Sequence, residues 1–404
     1  MKKSFSDLAQ AHALYPEEQL QKVNLKHKTL FIGIPREIEE YESRLILTPE
    51  GVAVLVNNGH EVWMESKSGE TAKYSDLDYS NAGAKIVYST KEVYQADIIL
   101  KVMPPTLMEV DYMRAGQILI SALQLAKVSQ EYIEAVVEKR VTGLALEFIE
   151  DKVGGKPIVR AMSEISGSTV MLIAAEYLSS ANEGKGIILG GITGVPPTKV
   201  VILGAGTVAE YAARTAMGLG AEVKIFDNHI YKLRRLKQNL GAHIYTSTID
   251  TYTLTQALAD ADVVIGAIRA EDDRSPCVVT SEMISRMKSD SVIVDVSIDQ
   301  GGCFETSRLT SLKKPTYRVH DVIHYCVPNI ASRVARTATT ALSNIFTPML
   351  LQIANHGGLE EAIFNKDWLM KGVYAYKGSL TNQMLSKRFD LKYKDMKLFM
   401  ISRL

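Results

Sequence analysis

Cysteine is scarce in this 404-residue chain: only Cys277, Cys303 and Cys326, odd in number and far apart. No CxxC or Cys/His spacing is present, so a structural zinc site is not expected, and so few thiols suit a reducing cytosol. An excess of one charge is missing too. Lys+Arg and Asp+Glu stand at 46 each, which argues against nucleic acid or an anionic membrane as the partner. No apolar run reaches the ~20 residues of a spanning helix. The opening "MKKSFSDLAQAHALYPEE" lacks the apolar centre of a secretory signal. These absences predict a soluble, cytoplasmic protein without a metal.

What remains is an ordinary globular composition, 46% apolar and 23% charged, long enough for two domains. Residues 1–28 are polar and read as an N-terminal arm. "TLFIGIP" (29–35) is a short apolar run closed by Pro35, hence a buried strand. Thr48-Pro49-Glu50 then opens a helix that runs to Gly59. "EVWMES" (61–66), "ADIILKV" (96–102), "QILISAL" (117–123) and "VTGLALEF" (141–148) follow at the spacing of strands separated by helices. Continuous apolar runs of this kind mark a parallel sheet covered on both faces. A long helix is expected over 161–181, then a Gly/Pro-rich hinge over 184–199.

After the hinge the β-α pattern restarts. Strands are predicted over 199–203, 222–227, 261–268 and 291–299, with helices over 206–218, 229–240 and 281–288. Residues 338–357 form a further helix, too apolar for a solvent-facing one, which should pack back on the first half. The expected fold class is α/β, with two doubly wound parallel-sheet, Rossmann-like domains separated by a cleft. Residues 29–157 plus 336–404 make up one domain and 158–335 the other.

The stretch "VVILGAGTVAEYAA" (200–213) carries Gly204-x-Gly206-x-x-Ala209 between a strand and a helix. Gly204 suits a tight turn. Gly206 admits a pyrophosphate to the helix N-terminus, and Ala209 takes the third small position. Such a turn is weak evidence alone, but Asp227 ends the next strand, where a carboxylate can hold the ribose hydroxyls of NAD. His229, Lys232, Arg234 and Arg235 nearby weaken the preference for NAD over its phosphorylated form. Ligands of open α/β sheets bind at the carboxyl ends of the strands. That rule points to Ile268 and to Val296, Ile298 and Asp299 near a nicotinamide, and in the first half to Lys101, Gln124 and Arg44. Each alone has a bland explanation, such as a turn-forming Asp or a solvated cation. Together Arg44 and Lys101 place two cations at one sheet rim, which suits a small carboxylate.

The blocks "IGIPREI", Glu42-Ser43-Arg44, "LTPEGV", "ADIILKV", "AMSEISG", "GKGIILGGITGVPPTKVVILGAG", "VIVDVSIDQGGCFE" and "HYCVPN" resemble the alanine dehydrogenases over roughly residues 30–360. That family shares its fold with the nucleotide-binding subunit of the proton-pumping transhydrogenase, and "SIDQGG" favours the dehydrogenase branch. The resemblance implies NAD as cofactor and a small amino or oxo acid as substrate, in a homo-oligomer, a hexamer in the family. It implies that Arg44 and Lys101 hold the substrate and that Asp299 is catalytic. Ser163, Thr207, Val208, Asp227, Lys232, Ile268, Arg308 and 327–330 then line the NAD site, with Asn329 between cofactor and substrate. Two departures stand out. Gln124 occupies the position of the family's acid/base histidine, and an amide cannot carry a proton near neutral pH. "IASRVARTA" (330–338) replaces a segment usually rich in Gly and Pro. The expectation is altered proton handling, with Lys101, Asp299 or water moving protons. The consequence is slow alanine turnover or a different acid, whose second carboxylate Arg333 could meet. A non-catalytic, transhydrogenase-like NAD(H)-binding subunit is the reading from another class.

Overall fold

The computed structural model describes residues 27–38, 42–125, 127–151, 153–269 and 275–401. All but the last two residues of the expected arm (1–28) lie outside them.

The first sheet begins with β1 (Phe31–Ile34), β2 (Glu61–Glu65), β3 (Lys85–Val87), β4 (Ile98–Leu100), β5 (Ile118–Ser121) and β6 (Thr142–Ala145), all parallel to one another. The second holds β7 (Lys199–Leu203), β8 (Glu222–Phe226), β9 (Tyr245–Ser247), β10 (Val263–Gly266), β11 (Val292–Asp295), β12 (Thr316–Val319) and β13 (Val322–Tyr325), of which only β12 runs antiparallel. The chain then returns to the first sheet. There β14 (Val373–Tyr376) pairs antiparallel with β6, and β15 (Ser379–Leu380) pairs with β14. The strand orders are β15-β14-β6-β5-β4-β1-β2-β3 and β12-β13-β11-β10-β7-β8-β9. The direction of winding therefore reverses between β1 and β4 in one sheet and between β7 and β10 in the other. Each reversal splays two connections apart and leaves a crevice at the carboxyl ends of the strands.

This is the α/β architecture expected, with two doubly wound sheets. Strands β4, β6, β10, β11 and β13 are buried at every position, because helices cover both faces. Two apolar clusters flank the first sheet and two flank the second. The helix Ala335–Asn355 buries Leu342, Phe346, Leu350 and Ile353 in the first sheet's core, although it follows the second sheet in sequence.

Several local expectations shift. The helix expected over 161–181 spans Pro157–Leu178, since Pro157 is pre-set for the first helical turn. It stops where Ser179 turns extended and accepts the Ala181 N–H at 3.2 Å. This helix is long and apolar enough to cross a membrane by length and composition alone. Here it lies against the helix Thr207–Gly218 and buries Val170, Met171, Ile173 and Ala174. The strand expected over 291–299 ends at Asp295, whose side chain accepts the Ser297 N–H at 2.9 Å and starts a 3₁₀ turn, Val296–Gln300. Asp299 therefore sits in a turn, not at the end of a strand. The antiparallel β12, β14 and β15, the strand β13 beside β12, and the short β3 and β9 have no expectation attached.

Candidate functional site

The loops leaving the two reversals line one cavity of about 390 Å³ between the sheets. Arg44, Gln124, Lys127 and Glu147 reach it from the first sheet. Ser163 faces it from the long helix, and Ile268, Arg269, Val296, Asp299 and Asn329 from the second sheet. The cleft thus brings together Arg44, Gln124, Ser163, Val208, Ile268, Val296, Asp299 and Asn329 among the residues singled out in the sequence.

The dinucleotide turn follows β7. Gly204 has φ +107°, and a Cβ on it would lie 2.4 Å from the Ala267 carbonyl oxygen. Only glycine fits there. At Gly206, which caps the helix Thr207–Gly218, an added Cβ meets no protein atom within 4 Å. The space in front of the helix N-terminus is thus open to a ligand, as a pyrophosphate requires. Ala209 is buried in the contact between that helix and the core. Asp227 accepts the Ala205 N–H at 2.8 Å through one oxygen and the His229 N–H at 2.7 Å through the other. Its carboxylate therefore ties the glycine turn to the end of β8 and keeps lone pairs for ribose hydroxyls. These residues fit a dinucleotide. Lys232 lies on the helix Ile230–Leu240 beyond Asp227, its ammonium over the Tyr231 ring. Ile298 is buried in the 3₁₀ turn. Arg308 lies over the Tyr317 ring, 4.1 Å from its centroid.

Arg44 is held in a fork. Its Nε and Nη2 donate to the two Glu42 oxygens at 2.7 and 2.6 Å, and it is 9% exposed. Glu42 also accepts the Asn329 amide at 2.8 Å, while the Asn329 backbone N–H donates to Asp299 at 3.1 Å. Asn329 adopts a left-handed backbone, φ +58°, which turns its main chain toward one sheet and its side chain toward the other. Burial raises the Asp299 carboxyl above the usual range, against Lys127 and Arg44, which pull it down.

Lys101 follows β4, is 2% exposed, and its Nζ lies 2.6 Å from Glu109 and 3.9 Å from Glu37. It stands behind the cavity wall, with its charge matched inside the protein. Glu37 accepts the Val102 N–H at 2.6 Å, and burial pushes its carboxyl up to about 7.

Gln124 has φ +52°, a costly conformation for a residue with a Cβ. Glu147 holds it there, accepting the Gln124 N–H at 2.8 Å and the Leu123 N–H at 3.0 and 3.1 Å. The Gln124 side-chain amide donates to the Met103 thioether at 3.0 Å. Arg333, considered above for a second carboxylate, is paired with Glu176 and donates to the Tyr325 hydroxyl at 3.2 Å. That pairing takes it out of the site.

Sequence reasoning missed Glu147, Lys127 and Arg269 as cavity residues. The signal was available for Glu147, an acid directly after the apolar "VTGLAL". Lys127 and Arg269 sit in polar loops, where nothing local marks them.

Two family models match: the alanine dehydrogenase/PNT N-terminal domain over residues 33–166 and its C-terminal domain over 170–383. An alanine dehydrogenase of Mycolicibacterium smegmatis is 39% identical over 372 residues, 92% of this chain and 100% of that protein. Alanine dehydrogenase 2 of Staphylococcus aureus is 38% identical over 364 residues, 90% of this chain and 97% of that protein. A solved L-alanine dehydrogenase superposes with a TM-score of 0.83 at 38% identity, covering 89% of this chain and 99% of that one. On this agreement of sequence, domain order and fold, the chain belongs to the alanine dehydrogenase/PNT family.

Proposed function

We propose that this protein is an NAD-dependent amino-acid dehydrogenase of the alanine dehydrogenase type. The reaction is L-alanine, NAD⁺ and water to pyruvate, ammonium, NADH and a proton, and its reverse. The observation that carries the reading is the shared cavity, lined by Arg44 from the connection after β1 and by Asp299 from the turn after β11. When bound, the nicotinamide accepts a hydride from the substrate Cα.

The chain's own residues do the rest. Gly204, Gly206 and the N-terminus of the helix at Thr207 seat the pyrophosphate, and Asp227 takes the ribose. Ser163, Val208, Ile268 and Val296 pack the nicotinamide end. Arg44, pre-aligned by Glu42, grips the substrate carboxylate with its free edge, so its side-chain ordering is complete before binding. Lys101 adds a fixed positive charge behind the wall. Asn329 keeps Asp299 in register with Glu42. Asp299, with a carboxyl raised by burial, takes and returns the amine proton that Gln124 cannot. We assign residues 29–157 and 336–404 to substrate binding and 158–335 to NAD, in a cytoplasmic homo-oligomer, a hexamer by family resemblance.

The test is NADH formation, followed by its absorbance, with L-alanine, and NADH consumption with pyruvate plus ammonium. Turnover in either direction supports the reading. Silence in both sinks the alanine assignment, and tight NADH binding with no turnover across a panel of amino acids supports a non-catalytic NAD(H)-binding role instead.

A further inference from the structure

Three cations, Arg44, Lys127 and Arg269, and two carboxylates, Glu147 and Asp299, line the cavity. Arg44 is already committed to Glu42, and Lys101 to Glu109. Two further cations line the same cavity from opposite sides: Lys127 in the loop after β5, and Arg269 in the loop after β10. Both reach it from the exposed mouth. Among the described residues, neither side chain has an ion-pair or hydrogen-bond partner. The dinucleotide does not account for them, because its diphosphate belongs at the Gly204–Gly206 turn, where Arg235 already reaches the Ala205 carbonyl at 3.4 Å.

Asp299 fixes the geometry. Lys127 and Arg44 are the two cations whose fields act on it. The reacting carbon must sit beside Asp299, in a cavity that Arg44 and Lys127 both line. Lys127 lies three residues beyond Gln124, its backbone N–H donating to the Gln124 carbonyl at 2.8 Å, and Arg269 lines the same cavity as Gln124 and Glu147. There the Gln124 amide donates only to a thioether, a weak acceptor that a carboxylate readily displaces. The mouth therefore presents an amide N–H, an ammonium and a guanidinium, the donor set for one more carboxylate.

We propose that Lys127, Arg269 and the Gln124 amide form a subsite for a second carboxylate, so that the preferred substrates are amino diacids and their oxo diacids. This rests on the dehydrogenase reading above and names the substrate class for it. The chemistry is unchanged. An amino diacid, NAD⁺ and water give the oxo diacid, ammonium, NADH and a proton. The C–H bond at Cα supplies the hydride, and water replaces the departing nitrogen.

The experiment compares initial rates of NADH formation by the full-length protein with L-aspartate against L-asparagine, L-glutamate against L-glutamine, and L-alanine. Each amide matches its acid in shape but lacks the charge. The expected result is a kcat/KM roughly tenfold or more higher for at least one acid than for its amide and for alanine, falling as salt is raised because the cations are exposed. In Lys127→Met, Arg269→Leu and the double variant, the acid-to-amide ratio should collapse toward about one in the double variant. Unfolding temperature and NADH affinity, measured alongside, establish that each variant is folded and loaded. Alanine turnover with no gain from a second carboxylate, or a ratio unmoved in the double variant, overturns this subsite and leaves the dehydrogenase reading standing. No turnover with any of the five overturns both.

Discussion

Glu147 accepts the backbone N–H of Gln124 at 2.8 Å, so a carboxylate on β6's connection sets the conformation of a residue on β5's connection. It does so for an unfavourable backbone, φ +52°. Removing the acceptor strands two partly buried N–H groups, each costing about 1–3 kcal/mol. Glu147→Ala should lower kcat/KM on the best substrate by about tenfold, and Glu147→Gln, which keeps one acceptor oxygen, should recover part of the loss. Burial raises the Glu147 carboxyl. Acid therefore protonates it early and weakens its hold, and the acid limb of the wild-type kcat/KM profile should flatten in the Gln variant. An identical pH profile for the two proteins counts against the role.

The glycine turn offers a pair of substitutions with opposite signatures. Gly204→Ala drives a Cβ against the Ala267 carbonyl at 2.4 Å and forces a side chain onto φ +107°. It should cost stability, on the order of 1–3 kcal/mol or more. Gly206→Val adds atoms where the protein has none within 4 Å. Its unfolding temperature should stay close to wild type while the NADH dissociation constant rises about tenfold or more. Calorimetry and NADH fluorescence titration separate the two, and equal stability losses would remove the case for an open phosphate seat.

Glu37 links stability to pH. Its carboxyl moves from 4.5 to about 7 because burial disfavours the charge. A raised folded-state pKa means that the folded protein binds more protons than the unfolded chain between those values. The contribution is full below 4.5 and is lost as pH rises through about 7. Glu37→Gln cannot lose a proton. Its stability relative to wild type should therefore grow from pH 5 to pH 8, by roughly 1–3 kcal/mol. Denaturant melts at both pH values measure it. A difference that stays flat with pH means that Lys101 keeps the carboxylate charged throughout.

Gln124→His restores an imidazole to the cavity wall. Where a missing acid/base group limits the rate, its return is worth about 10²–10⁴ at most. Alanine turnover should rise. Steady-state rates with alanine across pH 6–9 test it, and an unchanged rate counts against a part for the missing imidazole.

The sequence made the longer buried parallel strands and the glycine turn legible, because a buried parallel strand is a continuous apolar run and a dinucleotide turn needs glycine at fixed positions; the strand order and the short or antiparallel strands carry no such signal. It also pointed to Arg44, Asp299 and Gln124, since each follows such a run. Asp299 was misread as a strand end because "SVIVDVSID" stays apolar past the residue where Asp295 caps a turn. Lys101 reads as a rim cation, yet its charge is spent on Glu109, an acid a helix away whose proximity no local pattern encodes. Arg333 reads as available for the same reason, until Glu176 arrives from a distant helix. Lys127 and Arg269 meet only when the two sheets face each other. Local chemistry is written in local sequence, and pairings across the cleft are not.

β6 finds its outer neighbour only in β14, after the whole second sheet has been laid down between them. On the ribosome the first lobe must wait with an open edge while the second is completed, and an unpaired edge invites foreign strands. Truncation anywhere ahead of Val373 therefore leaves the first lobe with a bare seam, however intact its cleft. The tail that closes this seam is as much a part of the first lobe as the strands that begin it.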